Sequence, residues 1–399
     1  MTHPAGMRPW RFVIWFGAVS LLADFVYEGA RSITGPLLAS LGASALVVGV
    51  VTGAGEAVAL GLRLFSGPLA DRTGRFWGWT IGGYTLTVVT VPLLGLTGVL
   101  WVACALVIAE RVGKAVRSPA KDTLLSYATA VTGRGRGFAV HEAMDQIGAL
   151  IGPLTVAGML ALTGDHYAPA LGVLAAPGVA VLALLVWLRR RVPKPAMYET
   201  VMAPDPVAGA EDAETAVNGR LPGEFWRYAA FTATTTAGLA TFGVLSFHLV
   251  ERGLLTPSWV PVLYAAAMAV DGVAALVTGW AYDRLGSRAL VVLPLLAAAV
   301  PALAFTRTLA VVVIGSLVWG AAMGIQESTL RATVADLVPP GRRATAYGVL
   351  AGAVGAASLV GGTLVGGLYN SSIPLLITVV AAIQVAALAL LLTMQVPRP

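Results

Sequence analysis

Asp24, Glu28 and Arg31 stand four and three residues apart in LADFVYEGARS, and the residues before them, FVIWFGAVSLLA, are apolar apart from one serine. That spacing puts all three on one face of a helix. Gly17 and Gly35 fall on the same face and leave room in front of it. Two acids and a guanidinium in apolar surroundings can do three things. A partly desolvated carboxyl can exchange a proton. A guanidinium, which keeps its charge, can pair with Glu28 or hold an anionic group. All three can also form a static, satisfied network. At ~1.5 Å of rise per residue, Asp24 comes about 20 Å from the start of its helix, near mid-membrane depth.

The same chemistry recurs along the chain. Glu56 comes to a depth similar to Asp24 and can serve as a proton carrier or as a partner of Arg31. Asp271 stands alone in an apolar stretch at mid-depth. Asp24, Glu28, Arg31, Glu56 and Asp271 are therefore the candidates for proton coupling and for a substrate cavity. Arg63, Glu110, Arg111 and Asp145 come out together about 10 Å from the inner surface by the same rise per residue. With Glu327 and Arg331, themselves four apart, they form a candidate inner gate of ion pairs. His141 and Glu142 begin the face that carries Asp145; His141 can sense pH or simply be solvated near a helix end. His248, near an outer helix end, reads as structural or interfacial.

The surrounding sequence says what must position these groups. Of 399 residues, 57% are hydrophobic and 12% charged, where a soluble protein carries about 25% charged residues. A bilayer core of ~30 Å asks for about 20 apolar residues in a helix. Twelve segments meet that need, at 11–39, 43–67, 77–97, 99–117, 138–162 and 168–188, then 226–250, 258–280, 289–306, 309–331, 344–368 and 373–394. Between the two sets of six lies a polar stretch rich in proline and acids, over 190–225, which reads as a flexible cytoplasmic linker. The expected architecture is an all-α membrane protein of two six-helix halves, 1–189 and 226–399. The first helix is expected to be retained, since no small-residue cleavage site follows it. The single cysteine, Cys104, allows no disulfide within the chain.

The net charge of +6 is a topology signal. With the N-terminus inside, nearly all lysines and arginines fall at inner ends or in inner loops, and only Arg252 and Arg307 fall in outer loops. Both termini are therefore expected in the cytoplasm of a bacterium whose inner membrane the chain spans. A nucleic-acid partner is not expected.

Two loops repeat. GPLADRTGR (Gly67–Arg75) joins the second and third segments, and GWAYDRLGSR (Gly279–Arg288) joins the eighth and ninth. Asp71-Arg72 and Asp283-Arg284 stand at the same place in each half, the arrangement of transporters built from parallel repeats. GPLADRTGR resembles the loop 2–3 signature of the major facilitator superfamily, matching at Gly67, Leu69, Asp71, Arg72, Gly74 and Arg75, with Phe76 where the family has a second basic residue. ERVGKAVRSPAKD resembles the basic stretch of the family's fourth helix. The resemblance implies the twelve-helix fold of that family over the whole chain. It also implies a latch, in which Asp71 faces the positive dipole end of the eleventh helix, near Ala344; Gly67, Asp71, Arg72, Gly74, Arg75, Asp283 and Arg284 are its residues. DQIGALIGPL in the fifth segment, through Gly148, Gly152 and Pro153, partly resembles a motif of antiporter members, although Val156 and Ala157 replace its later glycines. Ordinary packing of small residues explains it equally. In the family the third helix of each triplet faces lipid. Segments 3, 6, 9 and 12 carry no Asp, Glu, Lys, Arg or His, in keeping with that.

The expected function is secondary active transport by alternating access, with proton-coupled efflux of small organic, drug-like compounds ahead of proton-coupled uptake of a small anionic metabolite. An enzyme is not expected, because no catalytic cluster, metal motif or Walker sequence is present. No cofactor and no metal are expected. The partners are a small-molecule substrate, protons and the lipid bilayer, and the chain is expected to be a monomer, as family members usually are.

Overall fold

The computed structural model describes residues 7–132, 134–200, 221–339 and 342–394. They form helices joined by short turns, with no strand among the described residues. In chain order these are α1 (Pro9–Ser40), α2 (Ala45–Gly61), α3 (Arg63–Thr73), α4 (Phe76–Leu96), α5 (Leu100–Thr132), α6 (Arg134–Thr163), α7 (Tyr167–Gly172), α8 (Ala175–Arg191) and α9 (Met197–Thr200). Then follow α10 (Gly223–Ala237), α11 (Phe242–Glu251), α12 (Val260–Leu285), a 3₁₀ turn (Gly286–Val291), α13 (Val292–Ala304), α14 (Leu309–Leu337), α15 (Arg343–Ser371) and α16 (Ile373–Leu392).

Among the described residues, 10 helical stretches are long and apolar enough to cross a membrane, and a shorter apolar helix runs over Arg288–Ala304. With α5, whose first turns are apolar but whose middle is charged, they match the twelve expected segments. In the most apolar 18-residue window of Ile373–Leu392 only 28% of residues are buried, and in that of Tyr167–Arg191 33%, against 61% in that of Pro9–Ser40. The charge-free stretches 6 and 12 thus expose apolar side chains to their surroundings, as lipid-facing helices do.

α5 is longer than its apolar run, which ends at Arg117. The helix continues to Thr132 because Ala120, Leu124, Leu125 and Ala128 keep one face buried. A hydropathy window averages that stripe with the polar residues between and misses it.

Two compact units form, Met1–Ser32 with Leu62–Val207, and Ile33–Gly61 with Ala208–Pro399. The divisions fall inside α1 and at Leu62, where α2 gives way to α3.

In the first unit, Gly148 and Gly152 of α6 lie against the carbonyls of Leu21 and Phe25, so α6 meets α1 backbone to backbone. Gly83 and Gly113 bring α4 and α5 equally close. One end of the unit is closed by an aromatic cluster of Phe12, Phe16, Trp77, Tyr84 and Tyr198, all buried. The ring centroids of Phe12 and Phe16 are 5.3 Å apart, and Phe12 lies 6.2 Å from Trp77. The start of the expected linker belongs to this cluster. The Trp77 indole donates to the Val192 carbonyl at 3.2 Å, and the Tyr198 hydroxyl donates to the Met7 carbonyl at 2.9 Å. Burial pushes the Tyr198 phenol upward from its ordinary value, so it stays a neutral donor. Two aromatic anchors thus hold residues 192–200 to the helices; residues 201–220 of the linker lie outside the described residues.

In the second unit, α2 and α15 cross face to face through small residues. Gly49 meets Gly362, Gly53 meets Ser358, and Gly366 meets Ala45. Without side chains between them the backbones approach closely, and dispersion over the whole crossing replaces the hydrophobic drive that lipid cannot supply. α12 and α14 approach likewise, where Gly320 and Gly324 lie against the carbonyls of Ala267 and Asp271. Trp319 anchors the interior, 5.3 Å from Phe242 between centroids, its indole donating to the Ala240 carbonyl at 2.8 Å. His248 is fixed through both ring nitrogens, by the Tyr369 hydroxyl and the Thr306 carbonyl, each at 2.8 Å.

The repeat is visible in the backbone. Gly74 after α3 and Gly286 after α12 stand at matching places, and both have positive φ, 61° and 58°. At Gly74 the left-handed turn lets its N–H close the helix onto the Ala70 carbonyl at 2.9 Å.

Candidate functional site

α1 is the central element of the site in the first unit. Its acids sit where the 3-4 spacing puts them. Asp24 is half-buried, Glu28 is buried, and the Arg31 guanidinium lies 3.5 Å from the Glu28 carboxylate. Tyr27 rises between them, 2% exposed.

Facing this stripe is α5. The Lys114 ammonium lies 4.0 Å from the Tyr27 ring centroid, and the Arg111 guanidinium carbon lies 4.6 Å from it. Arg31 approaches the same ring from α1 at 5.9 Å. Arg111 also lies 3.4 Å from the Glu110 carboxylate beside it. Three cations therefore gather around one aromatic ring. Such a contact is worth about 2 kcal/mol where water is excluded, and the flanking carboxylates of Glu28 and Glu110 balance much of the charge.

A second polar cluster lies on the same faces, one turn along α1 and two along α5. Ser20 of α1, Lys121 of α5, and His141 and Asp145 of α6 converge. The His141 Nε2 atom is 3.1 Å from the Ser20 hydroxyl and 3.0 Å from the Lys121 ammonium. Asp145 lies 3.6 Å from the same nitrogen and 4.0 Å from Lys121. Arg117 fills the space towards α4, donating to the Thr87 hydroxyl at 2.8 Å with its guanidinium carbon 4.5 Å from the Tyr84 ring centroid. Close contact of Gly148 and Gly152 with α1 is what brings Asp145 into this group.

The remaining candidates are placed as follows. Arg63, half-buried, opens α3 in the first unit. Glu56 on α2, Asp271 on α12 and Glu327 on α14 belong to the second unit, where Asp271 is buried, Glu56 half-buried and Glu327 exposed. Of the four candidate inner-gate residues in the first unit, Glu110 and Arg111 join the Tyr27 group, and Asp145 joins His141 and Lys121. The repeated stretches expected as loops are largely helical: Gly67, Asp71 and Arg72 lie in α3 and Arg284 in the last turn of α12, and only Gly74 and Arg75 follow α3 as a turn. Asp71, Arg72, Gly74 and Arg75 are exposed, Gly67 is half-buried, and Arg284 is exposed with its guanidinium 3.7 Å from the Trp280 ring centroid. The side chains of Asp283 and Arg331 lie outside the described residues, as does that of Ala344, the expected partner region of the latch.

Sequence reasoning treated Lys114, Arg117 and Lys121 as charges at the inner surface and did not use Tyr27, Ser20 or Tyr84. The signal was there: 114, 117 and 121 are three and four apart, one face of α5, just as 24, 28 and 31 are one face of α1.

A family profile described as Major Facilitator Superfamily matches residues 16–264 and 252–399. The chain belongs to the major facilitator superfamily. Its relatives in this superfamily include an uncharacterized protein of Mycobacterium tuberculosis, 64% identical over 399 residues, covering 100% of this chain and 96% of the relative. The multidrug resistance protein MdtH of Yersinia pestis is 32% identical over 146 residues, 36% of this chain and 35% of that protein. Among solved structures, the nucleoside transporter NupG superposes with TM-score 0.74 at 14% identity, covering 96% of this chain and 98% of the other. A POT family transporter in complex with 5-aminolevulinic acid gives 0.74, also at 14% identity, over 96% of this chain and 95% of the other. At such identity the superpositions speak for the fold alone. The chain is thus a multi-pass membrane transporter of the major facilitator superfamily, with a polar, charged interior in its first unit.

Proposed function

We propose that this transporter couples proton movement to the export of small organic compounds by alternating access, with Asp24 and Glu28 exchanging the proton. The observation that carries the reading is the α1 stripe, two carboxylates inside a mostly apolar helix, one of them still half-open and both within reach of fixed cations. Ionisable groups so placed are costly in a membrane, and they are retained where an ion or substrate passes. Neutralising one of them changes the relative stability of two access states, and this couples a gradient to motion. The likeness of about a third of the chain to a multidrug resistance protein supports export over uptake. In the same reading the two halves, 1–189 and 226–399, move as the rocking bodies, and the loop Gly67–Arg75 governs the switch between them.

A second reading has its own observation. The cations of Arg31, Arg111 and Lys114 around Tyr27 suit an anionic group on the substrate, and this supports uptake of a small anionic metabolite.

The test is a reconstituted transport assay with an imposed pH gradient, run against lipophilic cations and organic anions. Export of a lipophilic cation that stops when the gradient is collapsed, and that is lost in Asp24→Asn without loss of folded protein, supports the first reading. Gradient-driven accumulation of an anion, lost in Lys114→Ala, replaces it with the second. Transport indifferent to pH in both orientations sinks proton coupling altogether.

A further inference from the structure

We infer that the end of the first unit where α1 begins and α8 finishes binds an anionic phospholipid, its phosphate held by Arg11 and Arg191 and its acyl chains lying along Trp15 and Trp187. The site is separate from the α1 stripe and does not depend on what the transporter carries.

Its geometry follows from the directions of two helices. Phe12 of α1, Leu188 of α8 and Val192 share one buried cluster, so the start of α1 and the end of α8 lie together. The rings of Trp15 and Trp187 meet edge to face across the two helices, 5.4 Å between centroids. Arg11 stands four residues before Trp15, and Arg191 stands four residues after Trp187. α1 leaves this end and α8 arrives at it, so at ~1.5 Å of rise per residue both arginines come about 6 Å beyond the ring pair on the same side. The Arg191 guanidinium carbon is 5.9 Å from the Trp187 ring centroid. Arg8, Arg189 and Arg190 add their charge to the same end, and all five arginines are exposed.

These cations lack a counter-charge of their own. Residues 7–23 and 167–198 contain no Asp or Glu, and the first acid after them is Glu199. None of the five arginines pairs with a carboxylate among the described residues. The arginines of α8 suit the negative end of that helix's dipole, but Arg8 and Arg11 stand at the positive end of α1, whose first turn holds no acid. Like charges gathered in this way repel one another, and an outside anion relieves both the repulsion and the dipole. Basic residues that report topology alone can stand anywhere in a loop. These stand above an aromatic wall and against a helix dipole.

The surface below the arginines suits acyl chains. Ile14, Trp15 and Val186 are exposed, and tryptophan is favoured at the depth where headgroups give way to chains. The frame is also fixed. The Trp77 indole holds the carbonyl of Val192, next after Arg191, and the Tyr198 hydroxyl holds that of Met7, next before Arg8. A fixed frame leaves less freedom to be lost on binding.

Native mass spectrometry of the full chain, released from micelles in which phosphatidylglycerol and phosphatidylcholine compete, counts bound lipids without any need for a substrate. The expected result is one phosphatidylglycerol held in preference to phosphatidylcholine. Arg11→Gln with Arg191→Gln should weaken it about 30-fold, a factor of about five for each arginine at an anionic headgroup. Arg11→Lys with Arg191→Lys keeps the charge and should retain most of the binding. Arg284→Gln with Arg288→Gln removes two exposed arginines from the second unit, one of them over Trp280, and should change nothing. Equal binding of the two lipids by the unaltered protein overturns the inference. An equal loss in the two glutamine pairs overturns it too, since the attraction would then be diffuse surface charge. Displacement of the lipid by soluble glycerol phosphate would give the arginines to a free phosphate ester and overturn a lipid as the occupant.

Discussion

Lys114 holds its ammonium 4.0 Å from the centroid of the Tyr27 ring, although one residue belongs to α5 and the other to α1. The ring is almost fully buried, and its hydroxyl has no hydrogen-bond partner among the described residues. Ring and hydroxyl can therefore be separated by mutation. Tyr27→Phe keeps the ring for Lys114, Arg111 and Arg31 and removes only an unpartnered polar group, a change that is neutral or stabilising by about 1 kcal/mol. Tyr27→Leu loses the aromatic face and should cost about 2 to 4 kcal/mol, from lost cation–π attraction and lost packing. Thermal unfolding of the detergent-purified variants measures both. Equal stability of the two would mean that the cations do not use the ring.

The fold was legible because membrane helices need nothing but apolar length, and the matched loops at Asp71 and Asp283 exposed the repeat. The α1 stripe was legible because its spacing is helical and its surroundings are apolar. What hid was charge that looks like surface charge. Lys114, Arg117 and Lys121 stand beside a helix end on paper, and the same basic residues that report topology also line the interior of α5. The docking of residues 192–200 was hidden as well, because Trp77 and Tyr198 are far apart in sequence and the stretch between Arg191 and Thr200 has a linker's composition. Nor does the repeat reveal that Gly49 of α2 meets Gly362 of α15, since that contact joins segments from different halves of the sequence.

That α2–α15 crossing yields a second prediction. A methyl added at Gly49 would overlap the Gly362 carbonyl, which is backbone and cannot turn aside. Gly49→Ala must push two helices apart along their length, at a cost of about 1 to 3 kcal/mol. Gly158 of α6 has nothing within 4 Å of the same position, so Gly158→Ala should gain up to about 1 kcal/mol from helix propensity alone. Opposite shifts in melting temperature are expected. A Gly49→Ala protein as stable as its parent would show that the crossing is looser than described.

Gly74 and Gly286 supply a third. Both turn with positive φ, but Gly74 has ψ 7°, a left-handed turn that asparagine tolerates, whereas Gly286 has ψ −144°, a region that only glycine occupies freely. Gly74→Ala should cost about 1 kcal/mol, and Gly286→Ala more, up to about 3 kcal/mol. Gly74→Asn should recover part of the loss and Gly286→Asn should not. The comparison is made by chemical or thermal unfolding of the four variants side by side, and the reverse order would contradict the backbone geometry at these loops.

The last prediction concerns the segment that follows α8 and includes α9. Tyr198 is fully buried against Phe12, 5.8 Å between ring centroids, and its hydroxyl donates to the Met7 carbonyl. Tyr198→Phe should lose only that bond, about 1 kcal/mol. Tyr198→Ala should lose the ring as well, about 3 kcal/mol in all, and with it the anchor of a stretch whose composition otherwise favours a mobile linker. Limited proteolysis separates the two effects. In Tyr198→Ala, cleavage between Val192 and Thr200 should appear at protease levels that leave the unaltered protein and Tyr198→Phe intact there. Trp77→Phe should fall between, since it frees the Val192 carbonyl but leaves an aromatic ring beside Phe12. If all four proteins resist cleavage in this stretch alike, the helices hold it by other contacts and the aromatic cluster is not its anchor.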